Sequence, residues 1–230
     1  MTLPTSAEDA LEIMRASVEP GRAEGSAAYH KAARVYLGVP NPVLNDLTTD
    51  WRRAMELDQR LALARGLWDS DVHEGRIAAA KLLTQARIRD DAAVWALIAS
   101  WVPQFDAWAI ADHASKAAEK RIMADLSRLD EVEGWTQSDH MWTRRAALVS
   151  TLALTKSNHP GAAEAAARDR VLGWAAVYVP DQTWFIQKAI AWWIRDLSKH
   201  DKDRASAFLA AHGAAMKSFA RAEAGKYLTD

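Results

Sequence analysis

The sequence predicts an all-α protein, built as a curved stack of antiparallel helix pairs. Three observations carry this. No stretch shows the period-two alternation of a half-buried strand. From about residue 43 onward, segments of roughly ten to eighteen residues with helical patterning alternate with short caps. A phrase of one charged residue followed by small or branched apolar ones also recurs, as Arg76-Ile-Ala-Ala, Arg145-Ala-Ala-Leu, Lys188-Ala-Ile-Ala and Arg221-Ala-Glu-Ala. With Asp112 marking the helix between the first two, the markers fall 36, 33, 43 and 33 residues apart. Helical solenoids use irregular two-helix repeats of roughly 33 to 47 residues, because a lone pair cannot bury its apolar face without a neighbour.

Each element has a local reason. Thr5-Ser6-Ala7-Glu8-Asp9 offers an N-cap with acids in the first turn, and Glu19-Pro20-Gly21 ends the helix it starts. A second helix is expected from about Ala23 to Tyr36, before the turn Leu37-Gly38-Val39-Pro40-Asn41-Pro42, where each proline disfavours helix in the residue before it. Helices are then expected over 43–54, 56–68, 72–87, 90–101, 106–121, 123–133, 139–156, 162–178, 183–199, 201–211 and 214–228. Asp71 with Glu74 reads as an Asx-type capping box, Asp90 and Asp139 as first-turn acids, and Asp181 or Thr183 as the cap of the helix starting at Trp184. At 230 residues, with no long Pro/Gly/Ser linker, one continuous domain over 1–230 is expected.

Composition excludes several classes. Without cysteine there are no disulfides, zinc thiolates or thiol nucleophiles. The acidic start is unlike a signal peptide and no apolar run reaches membrane-spanning length, so the expectation is a cytoplasmic protein with no membrane partner. His73-Glu74 is followed by Ile77 where a zinc-binding HExxH needs histidine, and the ten glycines form neither GxGxxG nor a P-loop. The reading therefore calls for no metal and no cofactor.

The formal net charge of −1 argues against a uniformly basic surface, but it conceals a division between layers. The expected second helices of each pair (72–87, 106–121, 139–156, 183–199, 214–228) carry 15 Lys/Arg against 7 Asp/Glu, and their partners carry 7 against 12. The basic layer also holds Trp108, Trp142, Trp184 and Trp192. Basic groups interleaved with aromatics suit a polyanion such as nucleic acid.

Phe105 to His113, FDAWAIADH, sets Trp108 and Asp112 four residues apart, so that an indole and a carboxylate share one helix face. Arg144 and Arg145 point about 100° apart, and at most one of them can share the surface of Trp108. Considered singly, these residues have ordinary readings: most of the 11 tryptophans, Trp95, Trp101, Trp135 and Trp174 among them, belong to the core. Lys188 and Arg195 read as surface charges, and His113 as a polar surface residue.

Four phrases in order change the weighting: LWDSDVHEGRIAAAKLL (67–83), WAIAD (108–112), SDHMWTRRAAL (138–148) and WFIQKAIAWWIRDLSK (184–199). On these the chain, from Tyr36 to about Tyr227, resembles the AlkD-type alkylpurine DNA glycosylases, the DNA alkylation repair family of HEAT-like helical repeats. The resemblance implies an α-α superhelix and places the family's active-site tryptophan and catalytic aspartate on Trp108 and Asp112. It places the active-site arginine on Arg145 and a second tryptophan on Trp192. Arg144, Lys188, Arg195, Lys199, Lys217 and Arg221 are then expected DNA contacts. The wording around Asp112 departs from the family's, with Pro103 just before it.

The implied substrate is duplex DNA carrying N3- or N7-alkylated purines, bound by a monomer that associates with the nucleoid when on DNA. Such a purine is cationic and leaves readily, so one carboxylate suffices where most sugar hydrolases need two. Asp112 would stabilise an oxocarbenium-like sugar and orient water. A charge pair about 4 Å apart at an effective dielectric near 20 is worth about 4 kcal/mol, on the order of a thousandfold in rate. Trp108 and Trp192 would pack on the sugar and cationic base and Arg145 would hold a phosphate, with no base-flipping pocket. The alternative is a non-enzymatic helical-repeat module binding nucleic acid or protein.

Overall fold

The computed structural model describes residues 3–228, and among these every regular element is helical. Thirteen α-helices occur: α1 Ala7–Arg15, α2 Arg22–His30, α3 Asn41–Ala54, α4 Leu57–Asp69, α5 His73–Leu83, α6 Ala92–Trp101, α7 Trp108–Ala124, α8 Leu129–Trp135, α9 Met141–Val149, α10 Ala162–Tyr178, α11 Trp184–Ser198, α12 Lys202–His212 and α13 Ser218–Ala224. Val35 and Val72 form an isolated parallel bridge. No described helix is long and apolar enough to cross a membrane. The contacts gather into two compact units, Met1–Lys120 and Arg121–Asp230.

In the first unit α5 is the central helix. It packs on α3 and α4, while α1 and α6 also rest on α4. Its small residues Ala78, Ala79 and Ala80 are fully buried, which lets neighbouring backbones approach closely. Gly66 serves the same end, since a Cβ there would stand 2.8 Å from the Ala7 Cβ of α1. Trp68 and Trp101 stack at 4.3 Å and 7°, and Trp68 donates Nε1–H to Gln104 at 2.9 Å.

Glu74 departs from the capping box expected of it. Asp71 sits at φ 52°, Val72 is the N-cap of α5, and no side chain caps it. The Glu74 carboxylate instead accepts the backbone N–H groups of Leu37, Gly38 and Val39 at 2.9, 2.7 and 3.3 Å. Gly38 adopts φ 86°, and a Cβ there would press within 2.8 Å of the Ala23 nitrogen, so glycine is required. The second helix is shorter than expected for a related reason. Lys31 turns left-handed at φ 59°, and residues 32–36 run out of the helix so that Val35 accepts from the His73 N–H at 2.9 Å.

In the second unit α11 is central, contacting α9, α10, α12 and α13. Gln187, fully buried on α11, donates to the carbonyls of Val179 and Asp181, each at 2.9 Å, and accepts the Lys217 N–H at 2.9 Å. Helices α8, α10 and α12 are laced by charge. Arg170 reaches Asp130 and Glu133 at 2.7 and 2.5 Å, and Arg204 reaches Asp169 at 2.8 Å. The acids of this layer thus join neighbouring helices.

The helix expected over 139–156 stops at Val149 and resumes as a 3-10 turn, Leu152–Thr155. Thr151 donates its hydroxyl to Ala147 and Leu148 and Thr155 donates to Leu152, side-chain bonds that compete with the helical ladder. The segments expected at 123–133 and 214–228 are likewise each a 3-10 turn and a short helix. Asp90 lies at φ 51° ahead of the N-cap Asp91, and Asp139 precedes the N-cap His140, so neither enters a first turn.

Candidate active site

Trp108 is the first residue of α7, and the turn that delivers it is tied down on two sides. Phe105 is buried 6.0 Å from the Trp68 ring. Asp106 accepts a hydrogen bond from the Arg34 guanidinium, and this side chain is only 2% exposed and also meets Asp71 at 3.4 Å. The indole itself stays 37% exposed. It meets Tyr29 edge-on at 6.0 Å and leans over His30 at 5.3 Å. Asp112, half-buried, follows one turn later on the same face of α7.

His113 does not face solvent as the sequence suggests. It lines a cleft of about 200 Å³ together with His30, His73, Trp108, Ser26 and Asn41. The rings of His30 and His73 lie 4.6 Å apart, and Tyr36 packs on His73 at 4.7 Å. Burial, with the nearby charges of His30, Arg34 and His113, pushes His73 down to about 3. Burial, then Lys81, pushes His113 down to about 4, and burial also lowers His30. All three imidazoles are neutral near pH 7. Sequence reading missed them because 30, 73 and 113 share no motif.

In the second unit, Arg145 is 4% exposed on α9, its guanidinium 5.7 Å from the Trp142 ring and 6.0 Å from Phe185. Its neighbour Arg144 turns elsewhere, donating to the carbonyls of Ser138 and Asp139 at 2.8 and 2.9 Å and to Asp181 at 3.1 Å. On α11 the two adjacent tryptophans divide their roles: Trp193 is fully buried and donates to the Thr151 hydroxyl at 3.3 Å, while Trp192 is half-buried. The indole of Trp184 is 50% exposed and stacks on Phe219 at 5.8 Å.

The expected DNA contacts on this unit are largely met by acids of their own layer. Lys188 pairs with Glu223, and Arg195 reaches the same carboxylate at 2.5 Å. Asp196 gathers Lys156, with Arg195 and Lys199 each at 3.4 Å, and the Lys199 ammonium also lies 4.8 Å from the Tyr227 ring. Arg221 is exposed and Lys217 half-buried.

The chain matches the family model of DNA alkylation repair enzymes over residues 10–228. No curated protein matches the sequence. Among solved structures it is similar to a predicted DNA alkylation repair enzyme from Enterococcus faecalis, with 21% identity, coverage of 93% of this chain and 98% of that one, and a TM-score of 0.76. It is also similar to AlkD2 from Streptococcus mutans, with 17% identity, coverage of 96% and 97%, and a TM-score of 0.62. A third structure, smu.31 from Streptococcus mutans UA159, gives 19% identity, coverage of 81% and 92%, and a TM-score of 0.60. At such identities the structures share a fold with this chain, the helical-repeat architecture expected from its sequence. The family match spans nearly all of its length, and the chain belongs to the DNA alkylation repair enzyme family.

Proposed function

We propose that the protein is a DNA glycosylase that removes positively charged N3- or N7-alkylated purines from duplex DNA. The observation that carries this reading is the pairing of Trp108 and Asp112 at the start of α7, an exposed indole one turn before a half-buried carboxylate. As the C1′–N bond breaks, its electron pair passes to the purine and neutralises the ring. The sugar becomes oxocarbenium-like. The Asp112 carboxylate stabilises that cation and orients the water that attacks C1′, accepting the proton it releases. The products are a neutral free base and an abasic site. Trp108 lays a π face near the cationic base, and Trp192, Arg145 and the basic side chains of α11 and α13 contribute packing and phosphate contacts.

The test is incubation with heavily methylated duplex DNA and analysis of the bases set free. Release of N3-methyladenine or N7-methylguanine is expected. In Asp112→Asn it should fall on the order of a hundredfold or more, while duplex binding holds or tightens because a repelling charge is gone. No release by the unsubstituted protein would leave a DNA-binding helical module. Unchanged release by Asp112→Asn would leave a glycosylase using another group.

A further inference from the structure

We propose that Lys81, held by Asn45, is a phosphate-binding residue through which the first unit grips the backbone of duplex DNA. Helices α5 and α7 bring four cations to this unit, Arg76, Lys81, Lys116 and Lys120. Arg76 meets Asp71 at 3.0 Å, and Lys116 and Lys120 meet Glu119 at 2.5 and 3.6 Å. Among the described residues no carboxylate pairs with Lys81. Its ammonium donates instead to the neutral amide oxygen of Asn45 at 2.6 Å, an exposed bond from α5 to α3. One N–H is thereby engaged, and two remain for an incoming acceptor.

The place of this ammonium in the fold suits a duplex brought to Asp112. His73, Ile77 and Lys81 follow one another at four-residue steps along one face of α5, and Asn41 and Asn45 do the same on α3. His73, Ile77 and Asn41 line the cleft beside Trp108, so Lys81 and Asn45 both lie one turn beyond it. The charge of Lys81 is felt at His113, the residue after Asp112. Partial burial holds the Lys81 ammonium below the ordinary lysine pKa, with no carboxylate to offset the lost water. An anion recovers that cost. A compact ammonium with free N–H groups suits a phosphate oxygen, and an unpaired cation releases more counterion from DNA than one already held by an acid. The choice of duplex DNA as the source of that phosphate rests on the proposed function.

Fluorescence anisotropy of the full chain with an unmodified duplex tests this without any excision step. Lys81→Gln should make the log–log slope against salt shallower by about 0.9, one phosphate's worth, and weaken low-salt binding on the order of tenfold. Lys81→Arg keeps the charge and should restore the slope. Asn45→Asp leaves Lys81 in place and gives it a carboxylate, so it should flatten the slope as well; position 45 is exposed, and the variant should unfold thermally as the original does. Duplexes carrying one neutral methylphosphonate at a time locate the contact. One position should weaken binding by the original protein and leave Lys81→Gln unaffected. Equal losses at every position in both proteins overturn the proposal. So does a Lys81→Gln protein that loses thermal stability while its slope matches the original, because Lys81 would then only tie α5 to α3. The two readings fail separately: excision with an unchanged slope removes the phosphate contact and leaves the glycosylase, and a Lys81-dependent slope without excision does the reverse.

Discussion

Asp106 is bonded to Arg34, a guanidinium from the segment after α2, and stands two residues before Trp108. The pair fixes the entry to α7, so the indole's position depends on a contact 72 residues distant in sequence. Asp106→Ala leaves a buried guanidinium with Asp71 at 3.4 Å as its remaining ion-pair partner. Leaving a buried charged group under-bonded costs about 1–3 kcal/mol. Urea unfolding should show that loss. Base release should fall as well, because a misplaced Trp108 loses the geometry it shares with Asp112. Unchanged stability would mean that Arg34 is satisfied without Asp106.

The histidine cleft makes stability depend on pH. The folded pKa of His73 is about 3 and that of His113 about 4, both below the ordinary 6.5. Between these values and 6.5 the unfolded chain binds protons that the folded chain does not, so stability falls as pH drops. The contribution is complete above about pH 6.5 and shrinks toward pH 4, by about 1.4 kcal/mol per pH unit for each histidine fully protonated only in the unfolded state. Glu74 near His30, and Lys81 near His113, set the surrounding field. His113→Gln should flatten the slope measured by chemical denaturation between pH 6 and 4.5 by about one proton. An unaltered slope would show that His113 titrates normally in the folded protein.

Trp192 and Trp193 should separate function from stability. Trp193→Ala removes a fully buried indole and its bond to Thr151, a change that costs about 3–5 kcal/mol. Trp192 is half-buried, so Trp192→Ala should cost less in folding and more in base release, though less than Asp112→Asn because packing is lost and not a charge. Thermal unfolding alongside an excision time course reads both. Equal unfolding penalties would place Trp192 in the core.

The sequence was most informative where a signal is local. The helix expected at 162–178 appears as Ala162–Tyr178 and that at 183–199 as Trp184–Ser198, because apolar periodicity and a capping residue lie within a few positions of each other. Ser6 caps α1, accepting from the Asp9 N–H at 3.1 Å. What escaped notice has distant causes. Glu74 looks like a capping acid until the 37–39 amides are placed beside it. Arg144 looks like a phosphate contact until Asp181 is seen to receive it. The helix after Gly21 ends at His30 because Val35 pairs with Val72. The Trp108–Asp112 pair was legible because one helical turn relates its members. The cleft beside it was not, since it is assembled from four separate helices, α2, α3, α5 and α7.

Glu223 holds Lys188 and Arg195 together, and under the proposed function this limits what the two cations can give to a phosphate. A cation paired with a carboxylate releases fewer counterions on binding phosphate than a free one, so both affinity and its salt dependence are held down. Glu223→Gln keeps the shape of the side chain and frees the two cations. Affinity for an unmodified duplex should rise at low salt, and the log–log slope against salt should steepen by about 0.9 for each additional phosphate neutralised. The effect should be the same on unrelated sequences, because phosphates carry no sequence information. Lys188→Glu should act in the opposite direction. Fluorescence anisotropy from roughly 50 to 200 mM salt, the range over which phosphate-bound proteins lose affinity steeply, reads affinity and slope together. A Glu223→Gln protein whose affinity and slope match the original would exclude Lys188 and Arg195 from the DNA-binding surface, leaving Lys199, Lys217 and Arg221 as the candidates on α11 and around α13.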